Sequence, residues 1–197
     1  MARRFVCQYC REKDIDEQMV VVKVGKVNKR YHKDDCYGKY LRDQKFKKKE
    51  KEELDSLVEA IKKIHGIEVI PNQFFSYLQD LRNGNELFGN IGQKKSKSGY
   101  EYYIIEQAYL ENEDSINWAR NNRDFKGNSF NFLKYTFAII KNKIAGVNEA
   151  TKQKEYQEKL TKEQELNQDY DYGLSGVYEH SQTQKGDSDE FDISKFL

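Results

Sequence analysis

Cys7-Gln8-Tyr9-Cys10 and His32-Lys33-Asp34-Asp35-Cys36 hold the chain's only three cysteines and one of its three histidines. A C-x2-C pair puts two thiolates on one tight turn, within reach of a single ion. His32 and Cys36, spaced i and i+4, are expected to share a face of a helix's first turn. Cys7, Cys10, His32 and Cys36 thus predict a Cys3His set of the kind that holds structural Zn2+ in a tetrahedron. All four positions are taken by protein, which leaves no place for a catalytic water and points to a scaffold. The alternative is accidental register, with thiols that are merely buried.

Elements that would position these ligands lie between them. Met19-Val20-Val21-Val22-Lys23-Val24 reads as a strand, Gly25 as a tight turn, and Val27 to Tyr31 as a strand returning to the histidine. Knuckle, hairpin and a helix bearing the last ligands resemble treble-clef zinc modules. The resemblance implies a fold for residues 1–45 and no particular activity.

The chain has 197 residues, 34% charged and 37% hydrophobic, with one proline and 14 tyrosines. Such a composition allows a modest core with much solvated surface. No apolar run reaches transmembrane length, and Met1 to Phe5 lead into the knuckle without the apolar segment of a signal peptide, so a cytoplasmic protein is expected. Cysteines used as metal ligands suit a reducing interior. The net charge of +1 conceals a polarity along the chain. Residues 1–51 carry 16 Lys+Arg against 8 Asp+Glu, and residues 149–197 carry 6 against 12. A basic head and acidic tail suit a nucleic-acid binder with a shielding or partner-binding tail; solvated surface at both ends is the simpler alternative.

Candidate phosphate contacts are Arg3, Arg4, Arg11, Lys26, Lys29 and Arg30 in the zinc module, then Lys45, Lys47, Lys48, Lys49 and Lys51. The second group occupies a basic linker, residues 46–51 with Lys45 at its edge, for which an exposed connecting helix is an equally good reading. Tyr9 and Tyr31 are candidates for stacking on a base, although packing around the knuckle is the commoner use.

Beyond the linker, residues 52–147 predict a helical domain of four helices without strands. Leu54, Leu57, Val58, Ile61 and Ile64 recur at helical spacing up to Gly66. Pro71 suits a helix start, Phe74, Tyr77, Leu78 and Leu81 form a buried face, and Asn83-Gly84 is a stop. A glycine-rich, basic stretch through Lys94-Lys95-Ser96-Lys97 reads as an exposed loop; it lacks the Gly-Lys-Ser/Thr ending of a nucleotide-binding loop. Tyr102 to Tyr109 and Ile116 to Ala119 continue the apolar content, with Trp118 read as a core or helix-crossing residue. Asn128 and Ser129 offer N-caps. Phe130, Leu133, Phe137, Ile140 and Ile144 then line one face of a helix. His65, at a helix end, suggests a cap or a dipole contact.

Tyr103-Ile104-Ile105-Glu106-Gln107-Ala108, Asn128-Ser129-Phe130-Asn131-Phe132 and Ala138-Ile139-Ile140-Lys141-Asn142 resemble the C-terminal module of DnaD-like replication proteins. In that pattern an I-x-x-A face precedes a helix ending in I-L-x-N-W; Ile140-Lys141-Asn142-Lys143 departs from it at the leucine and the tryptophan. Zinc head and helical domain together also resemble early proteins of phages that infect Gram-positive bacteria, which implies a phage origin.

Residues 148–168 are read as a charged helical extension and residues 169–197 as a disordered acidic tail. Within the tail, Phe191, Ile193, Phe196 and Leu197 make an apolar tip in an acidic setting, suited to docking on a replication or transcription partner. It is similar in character to the tails of bacterial single-stranded-DNA-binding proteins but lacks their Pro-Phe ending. Folding back onto the protein's own surface is the alternative. The expected fold class is therefore α+β, mostly α. No nucleophile neighbours His65 or His180 in sequence, so no enzyme is expected. The sequence predicts a zinc-containing DNA-binding accessory protein of phage replication or gene control; its rival is a phage adaptor that binds a host protein without nucleic acid.

Overall fold

A computed structural model describes residues 3–86 and 96–178, with side chains as far as residue 165. The chain divides into two units, Met1–Asn148 and Glu149–Leu197.

The first unit opens with two antiparallel hairpins. Strand β1 (Arg4–Val6) pairs with β2 (Lys13–Ile15) in the register Arg4 to Ile15, Phe5 to Asp14 and Val6 to Lys13. A single helical turn, Asp16–Gln18, leads into β3 (Met19–Val24), which pairs with β4 (Val27–His32). The second hairpin is the one the valine run predicts, and Gly25 turns it at a positive φ of 62° that glycine adopts without strain. The first hairpin carries no such signal: its strands are three residues long and hold few β-branched residues.

Helix α1 (Cys36–His65) starts at the last cysteine and runs unbroken for 30 residues. Its second half, rich in Lys, Glu and Leu, has high helical propensity and no interior Gly or Pro. Gly66 ends it in the left-handed conformation, its N–H returning to the carbonyls of Lys62 and Lys63. Residues 46–51, the expected linker, are the middle of this helix, and Glu50 within them is buried. One rod therefore joins the strand module to the helical core. Tyr40, on the first part of α1, stacks on Tyr31 of β4 at 4.3 Å between ring centroids.

The core is built by α1, α2 (Asn72–Asn83), α3 (Tyr102–Glu111), α4 (Glu113–Asn122) and the start of α5 (Ser129–Tyr178). Five helices contribute where four are expected, because Tyr102–Glu111 and Glu113–Asn122 are separate helices broken at Asn112. Leu57 and Ile61 of α1, Phe74 and Leu78 of α2, Ile104 and Tyr109 of α3, Ile116 of α4 and Leu133 and Ile140 of α5 are fully buried. At about 25 cal/mol per Å² of apolar surface, such burial is the main stabilising term. Asn128 caps α5 as expected, its Oδ1 accepting from the N–H groups of Phe130 and Asn131 at 3.0 and 3.2 Å. The residues behind the DnaD-like resemblance, Ile104, Ile105, Ala108 and Ile140, are all core positions.

Gly84 and Gly99 close the ends of the basic loop by direct backbone contact. Gly99 N–H donates to Arg82 O at 3.1 Å, and a Cβ on Gly99 would collide with the Leu81 carbonyl and the Gly84 backbone.

In the second unit α5 remains helical to Tyr178, past residue 169, where the sequence places the start of the tail. Phe191, Ile193, Phe196 and Leu197 lie outside the described residues, as do Lys94, Lys95 and His180. Among the described residues no helix is long and apolar enough to cross a membrane.

Candidate metal centre

Backbone hydrogen bonds shape the knuckle that carries the first two donors. Cys7 N–H donates to Glu12 O at 2.8 Å, Gln8 N–H to Arg30 O at 2.8 Å and Arg11 N–H to Cys7 O at 3.0 Å. These fold residues 7–12 back on themselves between β1 and β2, and Arg11 takes a positive φ of 70° to complete the turn. The other two donors arrive differently from expectation. His32 is the last residue of β4, not a helical residue; a turn separates it from Cys36, the first residue of α1. The i, i+4 spacing works here because strand, turn and helix start converge on one point.

The donor atoms of Cys7, Cys10, His32 and Cys36 all lie within 4.8 Å of one another. His32 Nδ1 is 3.3 Å from Cys10 Sγ and 3.5 Å from Cys36 Sγ. A tetrahedral ion bonded to sulfur at ~2.3 Å and to nitrogen at ~2.1 Å holds its donors roughly 3.5–3.8 Å apart, so the set fits such an ion and is compatible with zinc. Cys7 and Cys36 are buried, His32 is half-buried and Cys10 is exposed.

Electrostatics favour a cation here. Burial pushes the Cys7 thiol up, but hydrogen bonds with the backbone of Cys10, Tyr9 and His32 outweigh it and set it at about 6. Burial, then the neighbouring Cys10 and Cys7 thiols, raise Cys36 to about 11. The Cys7 and Cys36 thiols oppose each other's ionisation, and a divalent ion between them would remove that conflict.

Asp14 completes the surroundings. Its Oδ2 lies 3.7 Å from His32 Nε2, on the side of the ring away from the thiols. Asp14 Oδ1 accepts the Ile15 N–H at 2.8 Å, which fixes the carboxylate. The contact is longer than a hydrogen bond; with a metal on Nδ1, a carboxylate on this side would favour the tautomer protonated at Nε2. Asp14 lies outside the Cys/His spacing pattern; only the approach of β2 to the end of β4 brings it to the histidine.

The expected phosphate contacts sort into two groups. Arg30 is engaged within the module: its Nε donates to Asp16 Oδ1 at 2.9 Å and its guanidinium lies 3.8 Å from the Phe5 ring centroid. Arg3 also approaches that ring, at 5.1 Å. Lys48 faces Glu52 at 3.6 Å, and Lys49 faces Glu101 at 2.9 Å and Glu53 at 3.4 Å. By contrast Arg4, Arg11, Lys26, Lys45, Lys47 and Lys51 are exposed and Lys29 half-buried, and none has an ion pair among the described residues. Tyr31 is buried against Tyr40 and is not open to a base, whereas Tyr9 is exposed.

Three further placements depart from the sequence reading. Trp118 is no core residue: it is 57% exposed on α4, because Ile116 and Ala119 take the inward positions of that short helix. His65 is buried and is no charged dipole partner. Its Nδ1 donates to Ile61 O at 2.9 Å, and its Nε2 meets Thr136 Oγ1 of α5 at 2.8 Å. Burial, with Arg120 nearby, lowers its pKa to about 4 despite the Ile61 bond, so the ring is neutral. Third, Glu50 Oε1 accepts from Arg82 Nε at 2.9 Å and Nη2 at 2.8 Å, while Glu50 Oε2 meets Lys97 Nζ. Arg82 Nη1 also donates to Lys97 O at 2.7 Å, tying the root of the basic loop to α1.

A four-donor cluster compatible with a zinc site, at the junction of two hairpins and a helix and continuous with an all-helical core, defines a small α+β protein that is mostly α. Its kinship is to phage: the chain belongs to the family described as SPbeta prophage protein YorH, whose pattern matches residues 7–195. No curated protein and no solved structure matches the chain.

Proposed function

We propose that the protein is a zinc-stabilised, DNA-binding accessory protein of phage replication or gene control, acting in the host cytosol. Zn2+ held by Cys7, Cys10, His32 and Cys36 would cross-link two hairpins to the start of α1 and neutralise the thiolates, a structural task. The observation that carries the DNA reading is α1 itself. It leaves the metal centre as a rigid rod whose exposed stretch bears Arg42, Lys45, Lys47 and Lys51, none in an ion pair among the described residues. Cations free of internal partners and fixed on one rod suit phosphates, which they would contact without reading sequence. Arg4, Arg11 and Lys26 extend the same charge over the metal module. Membership of a prophage family agrees with a role in phage replication or gene control, as does the weaker DnaD-like resemblance of the helical core.

A host-protein adaptor is the second reading, favoured by Trp118. The chain's single tryptophan stands 57% exposed on α4, and Leu110 of the neighbouring α3 is 42% exposed. Exposed tryptophan is an ordinary anchor of protein interfaces.

Fluorescence anisotropy of the metal-loaded protein against single- and double-stranded DNA at two salt concentrations tests the first reading. Affinity is expected to fall steeply with salt, and Lys45→Glu, Lys47→Glu and Lys51→Glu together should flatten that slope by about 0.7–0.9 per lost phosphate contact. No binding at low salt, with Trp118-dependent capture of one host protein that survives nuclease, would transfer the assignment to the adaptor.

A further inference from the structure

Arg42, Lys45, Phe46 and Lys49 follow one another at helical spacing along α1 and, with Lys48 and Glu52, line a hollow of about 490 Å³. Phe46, 44% exposed, is the one aromatic residue among these six, on a helix whose other large apolar residues mostly face the core. A second element completes this surface. Lys97, returning from the basic loop, places Nζ 4.8 Å from the Phe46 ring centroid. It is held there by the buried pair of Glu50 and Arg82, so the cation above the ring is positioned by the core. One turn further, Lys49 Nζ lies 5.8 Å from the ring centroid of Tyr103, which is half-buried on α3. The face thus holds two aromatic rings, each with a lysine over it, flanked by Arg42 and Lys45, neither in an ion pair among the described residues.

We propose that this face binds single-stranded nucleic acid, one unpaired base packing on the exposed part of the Phe46 ring beside the Lys97 ammonium, while the adjoining phosphates lie on Arg42 and Lys45. The inference rests on the nucleic-acid reading above and adds the strand form and the contact. Charge complementarity selects a polyanion. The exposed ring selects unpaired bases, because bases in a duplex are stacked on one another and cannot offer a face to a side chain. A phosphate contact alone would need no aromatic residue, and an apolar protein partner would gain nothing from a rim of cations.

The test measures wild type, Phe46→Ala, Phe46→Leu and Phe46→Tyr by anisotropy against an oligothymidylate and against a duplex. Alanine is the best helix former and Phe46 is half-exposed, so each variant is expected to fold, with far-ultraviolet circular dichroism as the check. Phe46→Ala and Phe46→Leu are expected to weaken single-strand binding about tenfold or more, with duplex binding and the salt slope unchanged. Phe46→Tyr should retain wild-type affinity. Equal losses on both strand forms, or no loss on either, would overturn the Phe46 assignment and leave a general DNA-binding role standing. Wild-type protein that binds neither probe at low salt would overturn both. If Phe46→Leu matches wild type, the ring acts only as apolar bulk and stacking is excluded.

Discussion

The carboxylate of Asp14 stands 3.7 Å behind His32, on Nε2, while Nδ1 of the same ring faces the thiols of Cys10 and Cys36. Strand β2 thereby sets a carboxylate beside the candidate ligand presented by β4. Asp14→Asn keeps the shape but weakens the pull on the ring. The expected result is roughly a tenfold loss of zinc affinity, within the range usual for partners of ligating histidines. Competition with a chromophoric chelator measures it, and an unchanged affinity would remove Asp14 from the site.

Metal removal should act locally. The strand module has a core of only Cys7, Met19, Tyr31 and Cys36, with Phe5, Val22, Tyr37 and Tyr40 packed against it. So small a core needs a metal to hold it. Chelation, or Cys36→Ser, is expected to abolish amide protection over residues 4–35 while the helical core keeps its own. Hydrogen exchange separates the two regions. Full protection of β3 and β4 without metal would show that the four donors are not a folding site.

The buried ion network is expected to matter more than the surface lysine pairs. Burial alone would push the Glu50 carboxyl up, but hydrogen bonds from Arg82 and Lys97 hold it below its ordinary value. Glu50→Ala leaves the Arg82 guanidinium buried without its partner, a loss of about 3–5 kcal/mol, whereas Glu52→Ala, at an exposed pair, should cost under about 1 kcal/mol. Urea unfolding of the two variants gives the comparison; equal, small effects would show that solvent reaches the Glu50 network.

Acid should weaken the helical core through His65. Its pKa is lowered from 6.5 to about 4 by burial, so the folded protein binds the proton less readily than the unfolded chain. Stability is then fully present above pH 6.5 and lost as pH falls toward 4, up to about 3 kcal/mol in all. Arg120 and the buried Tyr109 face the ring, and neither relieves the charge. Denaturant midpoints between pH 7 and pH 4 should show this slope, and His65→Gln should flatten it. A slope that persists in the variant would belong to other groups.

Much of the site was legible because cysteine spacing is a local code. A C-x2-C pair and a later H-x3-C pair name four ligands whatever element carries them, and the run of valines names the hairpin between. Helix faces from Leu54 to Ile64 and from Phe130 to Ile144 follow from periodicity, and Gly66, Gly84 and Asn128 mark ends by backbone and capping chemistry. What sequence could not supply was anything set by a distant neighbour. Residues 46–51 look like a linker because lysines dominate them, yet Glu50 is buried there by Arg82 and Lys97, which arrive from elsewhere in the chain. Trp118 is apolar in type but faces outward, since a short helix with two inward positions has no room for it. Asp14 and His65 acquire their neighbours only from the meeting of two hairpins and from a helix crossing. Local chemistry thus determined which residues gather as candidate metal ligands and which build the core. Tertiary packing decided which cations are consumed inside the protein and which remain for a partner, because an ion pair depends on distance in space and leaves no periodic trace along the chain.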